Sequence, residues 1–218
     1  DMFRANKSDF SEAFFSESKG LLASLTECTF ERCGLGGAEL MMCSFDACAL
    51  PAANFREAKL EYVRFDGCAA PGIVLEGAEL VGASFNECQL PEAAASGVSG
   101  DGAIWFKSDI HRASFHRADL TASHFYSVDA TGVDFSRANV PDARFDRAIL
   151  RGARFERANL FNADLRKAVL TKTQFTKASL YDASLTETAG ADVDFDGATT
   201  KGMNVQRSTI TTTRGATK

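Results

Sequence analysis

The hydrophobic positions of this chain recur with a period of five residues. Of the 41 positions from 10 to 210 that are divisible by five, 29 are Leu or Phe. A second column lies two residues earlier, from 8 to 208, and holds Ala, Ser, Cys, Thr or Val everywhere except at Ile73 and Met203. No insertion or deletion breaks this phase. A fixed period of such length indicates a repeat architecture and decides how the rest of the sequence is interpreted.

A period of five fits neither of the regular secondary structures. An α-helix places apolar residues every 3.6 positions and a strand every 2. Within each unit, the central Leu or Phe and the small residue two before it share parity, so both point the same way from a short extended segment. The other three positions are mostly polar, as Arg117, Asp119 and Thr121 show around Leu120. The pattern therefore predicts short extended segments joined by corners, which wind into a coil.

Longer spacings predict that four such segments close each coil. Phe favours positions ending in 5 and Leu favours positions ending in 0. Cysteines and prolines both recur at every twentieth position, at Cys28, Cys48, Cys68 and Cys88 and at Pro51, Pro71 and Pro91. Residues stacked on neighbouring coils share an environment, so this interval indicates four faces per coil. We therefore expect an aromatic ladder along the axis, formed by Phe115, Phe135, Phe155, Phe175 and Phe195.

The repeating units resemble those of the pentapeptide repeat family, whose pattern is Ala-Asp/Asn-Leu-x-x. The units that carry the resemblance best are Ala118-Asp119-Leu120, Ala138-Asn139-Val140, Ala158-Asn159-Leu160 and Ala163-Asp164-Leu165. The resemblance covers residues 8–210 and implies an all-β fold, a right-handed four-sided parallel β-helix of about ten coils. Coils spaced ~4.8 Å apart would make a rod about 50 Å long.

The phase also predicts three segments. Residues 1–7 look out of phase with the repeats after them, and we interpret this start as a cut within or beside a longer protein, or as a processed terminus. Residues 8–210 form the β-helix, with a weak coil or bulged loop near 93–106, where Ala95 and Gly100 replace the central apolar residue. Residues 211–218 are expected to be a disordered tail. No apolar run reaches the ~18 residues of a membrane span, and we expect no secretion signal, because no basic segment with an apolar core is visible at the start.

Charge is distributed unevenly along the predicted rod. Residues 1–110 contain 17 acidic and 8 basic side chains, a net charge of −9. Residues 111–218 contain 12 acidic and 16 basic side chains, a net charge of +4. The overall charge of −5 conceals this difference between the halves.

Residues with reactive side chains form no recognisable reaction centre or cofactor site. All six cysteines occupy the small inward column and lack the Cys-x-x-Cys spacing of zinc sites, so we expect buried, reduced thiols and a reducing compartment. His111, His116 and His124 are interpreted as solvated side chains. No nucleophile motif or phosphate-binding loop is present. We therefore expect no enzyme activity, no cofactor and no metal.

One charged feature stands out as a candidate binding site. Arg117, Arg137, Arg157 and Lys177 occupy every twentieth position and are expected to stack on one edge of the rod. Like charges at ~4.8 Å repel one another unless something anionic lies along them. The alternative is local pairing with Asp119 and Glu156, together with solvent.

Two outward aromatic residues, Phe161 and Tyr181, show the same spacing beyond the next corner, in a column with Leu21, Met41, Val81 and Pro141. A column of exposed apolar groups beside a basic edge is a candidate docking face.

These features favour a non-catalytic protein–protein interaction module, a rigid rod that presents a docking face to a protein partner or to its own copy. Similar repeats occur as appendages of bacterial secreted-effector or secretion-system proteins, which implies a bacterial cytoplasmic location or delivery by a secretion apparatus. The alternative is a DNA mimic of the kind that protects DNA gyrase from quinolones or peptide toxins. Such mimics are acidic along the rod and dimerise through a C-terminal helix, and this chain departs from both features. We expect neither direct nucleic-acid binding nor a membrane span.

Overall fold

Each coil of the protein contains four pentapeptide segments, because residue n pairs in parallel with residue n+20. The computed structural model describes residues 3–214. Isolated parallel bridges such as Asp119↔Asn139 and Asp134↔Arg154 continue this register from coil to coil. The described part is a parallel β-solenoid of about ten coils, as predicted, and it contains no helix. Nothing in residues 3–214 is therefore a helix of the length and apolarity needed to cross a bilayer.

Within the described residues, continuous strands form in the first coils, up to residue 86, and in the last two coils. One sheet has the order β1-β3-β5-β6-β7, a second pairs β2 with β4, and a third pairs β8 with β9. The strands are β1 (Arg4–Asn6), β2 (Lys19–Leu21), β3 (Ser24–Thr26), β4 (Glu39–Met41), β5 (Ser44–Asp46), β6 (Arg64–Asp66), β7 (Ser84–Asn86), β8 (Ala189–Asp194) and β9 (Thr209–Arg214).

The four faces are numbered in chain order by their inward central residues. Face 1 contains Phe45 and Phe145, face 2 contains Leu50 and Leu150, face 3 contains Phe55 and Phe155, and face 4 contains Leu60 and Leu160. The central residues and the small residues two before them fill the interior. Leu120, Phe135, Phe155 and Leu160 are completely buried, as the period predicts.

The expected aromatic ladder lies on face 3. Ring centroids are 5.0 Å apart for Phe115 and Phe135, 5.1 Å for Phe135 and Phe155, and 5.2 Å for Phe155 and Phe175. Each pair is nearly parallel because the rings stack directly along the coil axis.

The corners explain why the period is five. The residue two after each centre has a positive φ, and within residues 3–214 this conformation is adopted by 30 non-glycine residues and 11 glycines. At most corners the next backbone N–H donates to the central carbonyl, as from Ala138 to Phe135 at 3.0 Å. A positive φ at the third residue of a four-residue turn is typical of a type II turn. Three extended residues followed by this turn bring the chain to the start of the next face after five positions.

The ends of the rod differ from the prediction. β1 pairs with β3 in the common register, with Arg4 opposite Ser24. Residues 4–6 are therefore in phase with the repeats, and the expectation that they are out of phase was wrong. At the other end β9 pairs with β8, so residues 211–214 belong to the last coil and are not a disordered tail. Residues 1–2 and 215–218 lie outside the described part. The sequence pattern did not reveal the first coil, because the large apolar residue Phe3 is exposed and the small residue Ala5 occupies the central position.

The coil near 93–106 also keeps its register. Glu79 pairs with Ser99 and Ser84 with Ile104, so the predicted bulged loop is absent from this part of the structure. A Cβ added to Gly100 would lie only 3.0 Å from the Cβ of Leu80, which leaves no space for a larger central residue. Trp105, the next central residue, is completely buried and stacks on Phe85 with ring centroids 4.2 Å apart.

The six cysteines are buried free thiols, as predicted. Their role is more than that of small apolar groups, because several donate hydrogen bonds to the carbonyls of central face 1 residues one coil earlier. The Sγ atom of Cys68 donates to the carbonyl of Phe45 at 3.1 Å, and that of Cys88 to the carbonyl of Phe65 at 3.2 Å. One coil further, the hydroxyl of Ser108 makes the same bond. Burial raises the pKa of the Cys33 thiol to about 11 and so disfavours its reactive thiolate form.

Candidate functional site

The four predicted cations lie on the edge between faces 3 and 4, which we call the basic edge. Arg117, Arg137, Arg157 and Lys177 each occupy a corner position, with φ between 58° and 60°. All four side chains are exposed. The next residue, such as Ala118, turns into the core, so the backbone on that side of each cation is anchored. The scaffold thus presents four cations at the fixed spacing of the coils.

No acidic side chain within residues 3–214 forms an ion pair with any cation of the basic edge. Asp119 instead accepts hydrogen bonds from the Oγ1 atom of Thr121 and the Nδ2 atom of Asn139, both at 3.0 Å. Glu156 forms no ion pair among the described residues. The pairing with Asp119 and Glu156 that the alternative interpretation required is therefore not formed.

Several corner cations elsewhere along the rod are paired with acids one coil away. Lys107 lies 3.4 Å from Glu87, and Arg112 lies 3.5 Å from Glu92. Lys167 likewise faces Glu187, at 3.8 Å. Each of these pairs is exposed and contributes little to stability, but it cancels charge along its edge. The basic edge lacks this cancellation, so it carries a concentrated positive potential.

Phe161 and Tyr181 lie together on face 4, on the far side of this face from the basic edge, and we call them the aromatic pair. Their rings stack with centroids 5.7 Å apart and planes 14° apart. Phe161 is 43 % exposed, and the Nζ atom of Lys201 lies 5.6 Å from the centroid of Tyr181. Between the pair and the edge runs a polar ladder in which Asn159 donates to Asn139 at 2.8 Å. The structure therefore brings all six predicted site residues onto one side of the rod.

The N-terminal half of face 4 carries an apolar patch that the sequence showed only in part. Leu21, Met41 and Val81 were noted as one outward column. The structure adds three neighbouring corner residues, so that the exposed patch comprises Leu21, Leu22, Met41, Met42, Tyr62 and Val81. The corner residues could have been found by their position two after each centre, where every side chain points outward.

Face 1 contains a groove of about 320 Å³ that sequence reasoning missed. It is lined by Ile104, Phe106, His124, Tyr126, Arg144, Asp146, Asp164 and Arg166. Phe106 and Tyr126 stack with centroids 5.6 Å apart, and Arg166 donates to Asp164 through Nε at 2.8 Å and Nη2 at 2.6 Å. The signal was present, because Phe106 and Tyr126 are outward aromatics at equivalent positions of successive coils. Such a groove can stack a planar group, but nowhere in residues 3–214 do three His, Cys, Asp or Glu side chains form a metal site.

His124 in this groove is predicted to titrate below its ordinary value of 6.5. Partial burial lowers its pKa, and the positive charge of Arg144 lowers it further. Because the folded state then binds the proton less well than the unfolded state, this group reduces stability as the pH falls below about 6.5. An NMR titration should show the shift, and Arg144→Gln should raise the pKa of His124. An unchanged pKa in that variant would contradict the electrostatic contribution of Arg144.

The repeats match the family model described as pentapeptide repeats in eight copies, at residues 58–93, 113–152 and 153–188, which together make up more than half of the chain. The chain belongs to the pentapeptide repeat family. A comparison with curated protein sequences finds no significant match.

Solved structures of other pentapeptide repeat proteins resemble this one to different degrees. HetL from the cyanobacterium Nostoc sp. strain PCC 7120, a protein involved in heterocyst differentiation regulation, has a TM-score of 0.76 and 24 % identity, over 94 % of this chain and 87 % of HetL. QnrB1, a plasmid-mediated fluoroquinolone resistance protein, has a TM-score of 0.41 and 16 % identity, over 96 % and 90 %. A thylakoid-lumen pentapeptide repeat protein of Arabidopsis thaliana has a TM-score of 0.41 and 26 % identity, over 51 % and 71 %. HetL supports the shared fold, and the two lower scores support no functional argument.

Proposed function

We propose that this pentapeptide repeat protein is a non-catalytic interaction module whose docking face consists of the basic edge and the aromatic pair. The observation that carries the proposal is the run of four exposed corner cations without an acidic partner in residues 3–214, at Arg117, Arg137, Arg157 and Lys177. Such a run favours a partner that supplies the missing negative charge. The partner is therefore an acidic protein surface.

Pre-organisation supports this assignment. The cations project from corners whose backbone is held by hydrogen bonds, as from Arg157 N–H to the carbonyl of Thr176 at 2.9 Å. A rigid scaffold loses little conformational entropy when it binds, so more of the contact energy remains as affinity. Arg and Tyr are frequent energetic anchors of protein interfaces, and Tyr181 lies on face 4, which the basic edge borders. Duplex DNA along the whole rod is disfavoured, because the N-terminal half has a net charge of −9.

The alternative function, a DNA mimic that protects gyrase, is favoured by the acidic N-terminal half alone. A mimic must present negative charge where the duplex phosphates would lie, and the basic edge opposes this in the C-terminal half. A supercoiling assay distinguishes the two proposals. Relief of quinolone inhibition of gyrase by the wild-type protein, retained after reversal of charge at the basic edge, would favour the mimic.

The docking face is tested by the double variant Arg157→Glu with Tyr181→Ala. Wild-type and variant protein are immobilised in equal amounts. The amount of partner protein that each captures is then quantified and compared. We expect the double variant to bind at least tenfold less, because it reverses one charge of the edge and removes an anchor. Retention of wild-type binding with an intact circular dichroism spectrum would place the docking face elsewhere.

Two matched variants control this experiment. Arg151→Glu reverses an exposed charge on face 2 and should leave binding unchanged. Arg157→Gly removes the charge without strain, because glycine readily adopts the φ of 58° at this corner. Its free energy of unfolding should equal that of the wild type or exceed it by up to about 1 kcal/mol, while its binding falls.

A further inference from the structure

Face 4 is complementary to itself when two rods run in opposite directions. In the C-terminal half, the edge between faces 3 and 4 carries the four cations of the basic edge. In the N-terminal half, the same edge carries only acids and glycines, which are Glu17, Gly37, Glu57, Gly77 and Gly97. An antiparallel second copy would therefore place an acidic residue or a glycine opposite each cation.

We propose that the docking face takes a second copy of this chain, in an antiparallel dimer that buries face 4. The two-fold axis lies in the plane of the interface and crosses face 4 at right angles to the rod, between the coils of Gly97 and Arg117. This inference rests on the proposed function, since it uses the same basic edge and aromatic pair and names their partner.

The symmetry determines which residues meet along the edge. A two-fold axis in this direction maps every column of face 4 onto itself in reverse order. Arg117 then faces Gly97 of the second copy, and Arg137 faces Gly77. Arg157 faces Glu57, and Lys177 faces Gly37. A Cβ at Gly77 would lie 3.4 Å from the Cγ atom of Glu57, so the Glu57 side chain leans along the edge toward the place where Arg137 arrives.

The apolar residues of face 4 match in part in the same register. Met41 lies opposite Tyr181 and Val81 opposite Pro141, whereas Phe161 lies opposite Glu61 and Leu21 opposite Lys201. Met41 and Val81 are 42 % and 39 % exposed in the single chain, so their burial provides a hydrophobic contribution to assembly. A parallel pairing would instead place Glu79 against Val81. The antiparallel arrangement therefore keeps Val81 against an apolar residue, which the parallel arrangement does not.

The size of the face is compatible with a reversible dimer. A rod about 50 Å long and a face about 12 Å wide give roughly 600 Å² per copy, or about 1,200 Å² in total. This is the lower end of the range for specific interfaces. Because the contact is rich in exposed charges, its affinity should fall as ionic strength rises.

The dimer is tested by sedimentation analysis of the full chain over a range of concentrations, at low and high salt. The wild type should dimerise, and high salt should weaken it. Arg157→Glu and Glu57→Arg should each raise the dissociation constant at least tenfold, since each places like charges opposite one another twice per dimer. The combined charge swap should return it to within about threefold of the wild-type value. Arg151→Glu, away from the face, should leave it unchanged.

A cross-linking experiment tests the direction of the two rods. Glu57→Cys protein mixed with Arg157→Cys protein should form an inter-chain disulfide under mild oxidation, while Arg157→Cys protein alone should not. The native cysteines are buried and do not compete. A disulfide in the single-variant sample, or a charge swap that fails to restore dimerisation, would overturn the antiparallel register.

The outcomes separate this inference from the proposed function. A wild-type protein that remains monomeric at all concentrations overturns the dimer. If that monomer still captures an acidic protein, and Arg157→Glu with Tyr181→Ala abolishes the capture, the docking face stands and only its second-copy partner is wrong. If the monomer captures none and the double variant behaves as the wild type does, both proposals fail.

Discussion

Replacement of Phe155 by Ala is expected to lower the free energy of unfolding by about 3–5 kcal/mol. Phe155 is completely buried and lies between Phe135 and Phe175, with ring centroids 5.1 Å and 5.2 Å away. It also makes an edge contact with Phe145 across the interior, at 5.6 Å. Removal of the ring leaves a cavity that stacked neighbours cannot fill, because hydrogen bonds on both sides hold the coil spacing.

Urea denaturation followed by circular dichroism measures this loss. Phe15→Ala is the matched control, since Phe15 belongs to the same column but is 36 % exposed at the end of the rod. We expect the control to cost less than half as much, because part of its surface already contacts water. Equal losses for the two variants would contradict a core built from successive coil interfaces.

Replacement of Gly190 by Ala is expected to destabilise the last coils by about 1–3 kcal/mol, although the repeat pattern favours an apolar side chain there. A Cβ at Gly190 would lie 2.7 Å from both the carbonyl carbon of Leu170 and the amide nitrogen of Thr171. Both atoms belong to the backbone and cannot rotate away. The close approach is therefore to the backbone of the preceding coil, a typical reason for glycine within a strand.

Gly20→Ala provides the comparison for this prediction. Gly20 also occupies a central position in a terminal coil, but its added Cβ would meet only side-chain atoms, the nearest being the Cδ2 atom of Leu40 at 2.9 Å. A leucine side chain can change rotamer, so the cost should be small. Thermal unfolding of both variants gives the difference, and a Gly190→Ala protein as stable as Gly20→Ala would show that the β8 backbone can shift.

The candidate site was predictable from the sequence in its positions but not in its electrostatics. The twenty-residue interval placed Arg117, Arg137 and Arg157 on one edge. It did not show that Asp119 would be engaged by Asn139 and Thr121, which leaves Arg117 without an acidic partner among the described residues. Ion pairing depends on side-chain rotamers and on competing donors, which a periodic pattern does not contain.

The end coils and the groove on face 1 show the same division. β1 and β9 lack the usual central Leu or Phe, so composition did not reveal them, whereas backbone hydrogen bonding to the neighbouring coil did. The groove is lined by side chains of different size from successive coils, among them Tyr126 and Asp146. The shape of such a groove depends on the volumes of the side chains that lie next to one another on successive coils.

By itself the sequence determined the coil, its four faces and the buried columns, because a residue stacked on its counterpart twenty positions away must share its environment. The tertiary structure decided the positive φ of the corners, the closure of the coil at Gly100 and the unpaired state of the basic edge within the described residues. The physical reason is that some interactions repeat in every coil and others do not. Inward packing repeats in every coil and so appears as a period, whereas turn geometry, steric fit and charge pairing depend on the particular side chains that meet on adjacent coils.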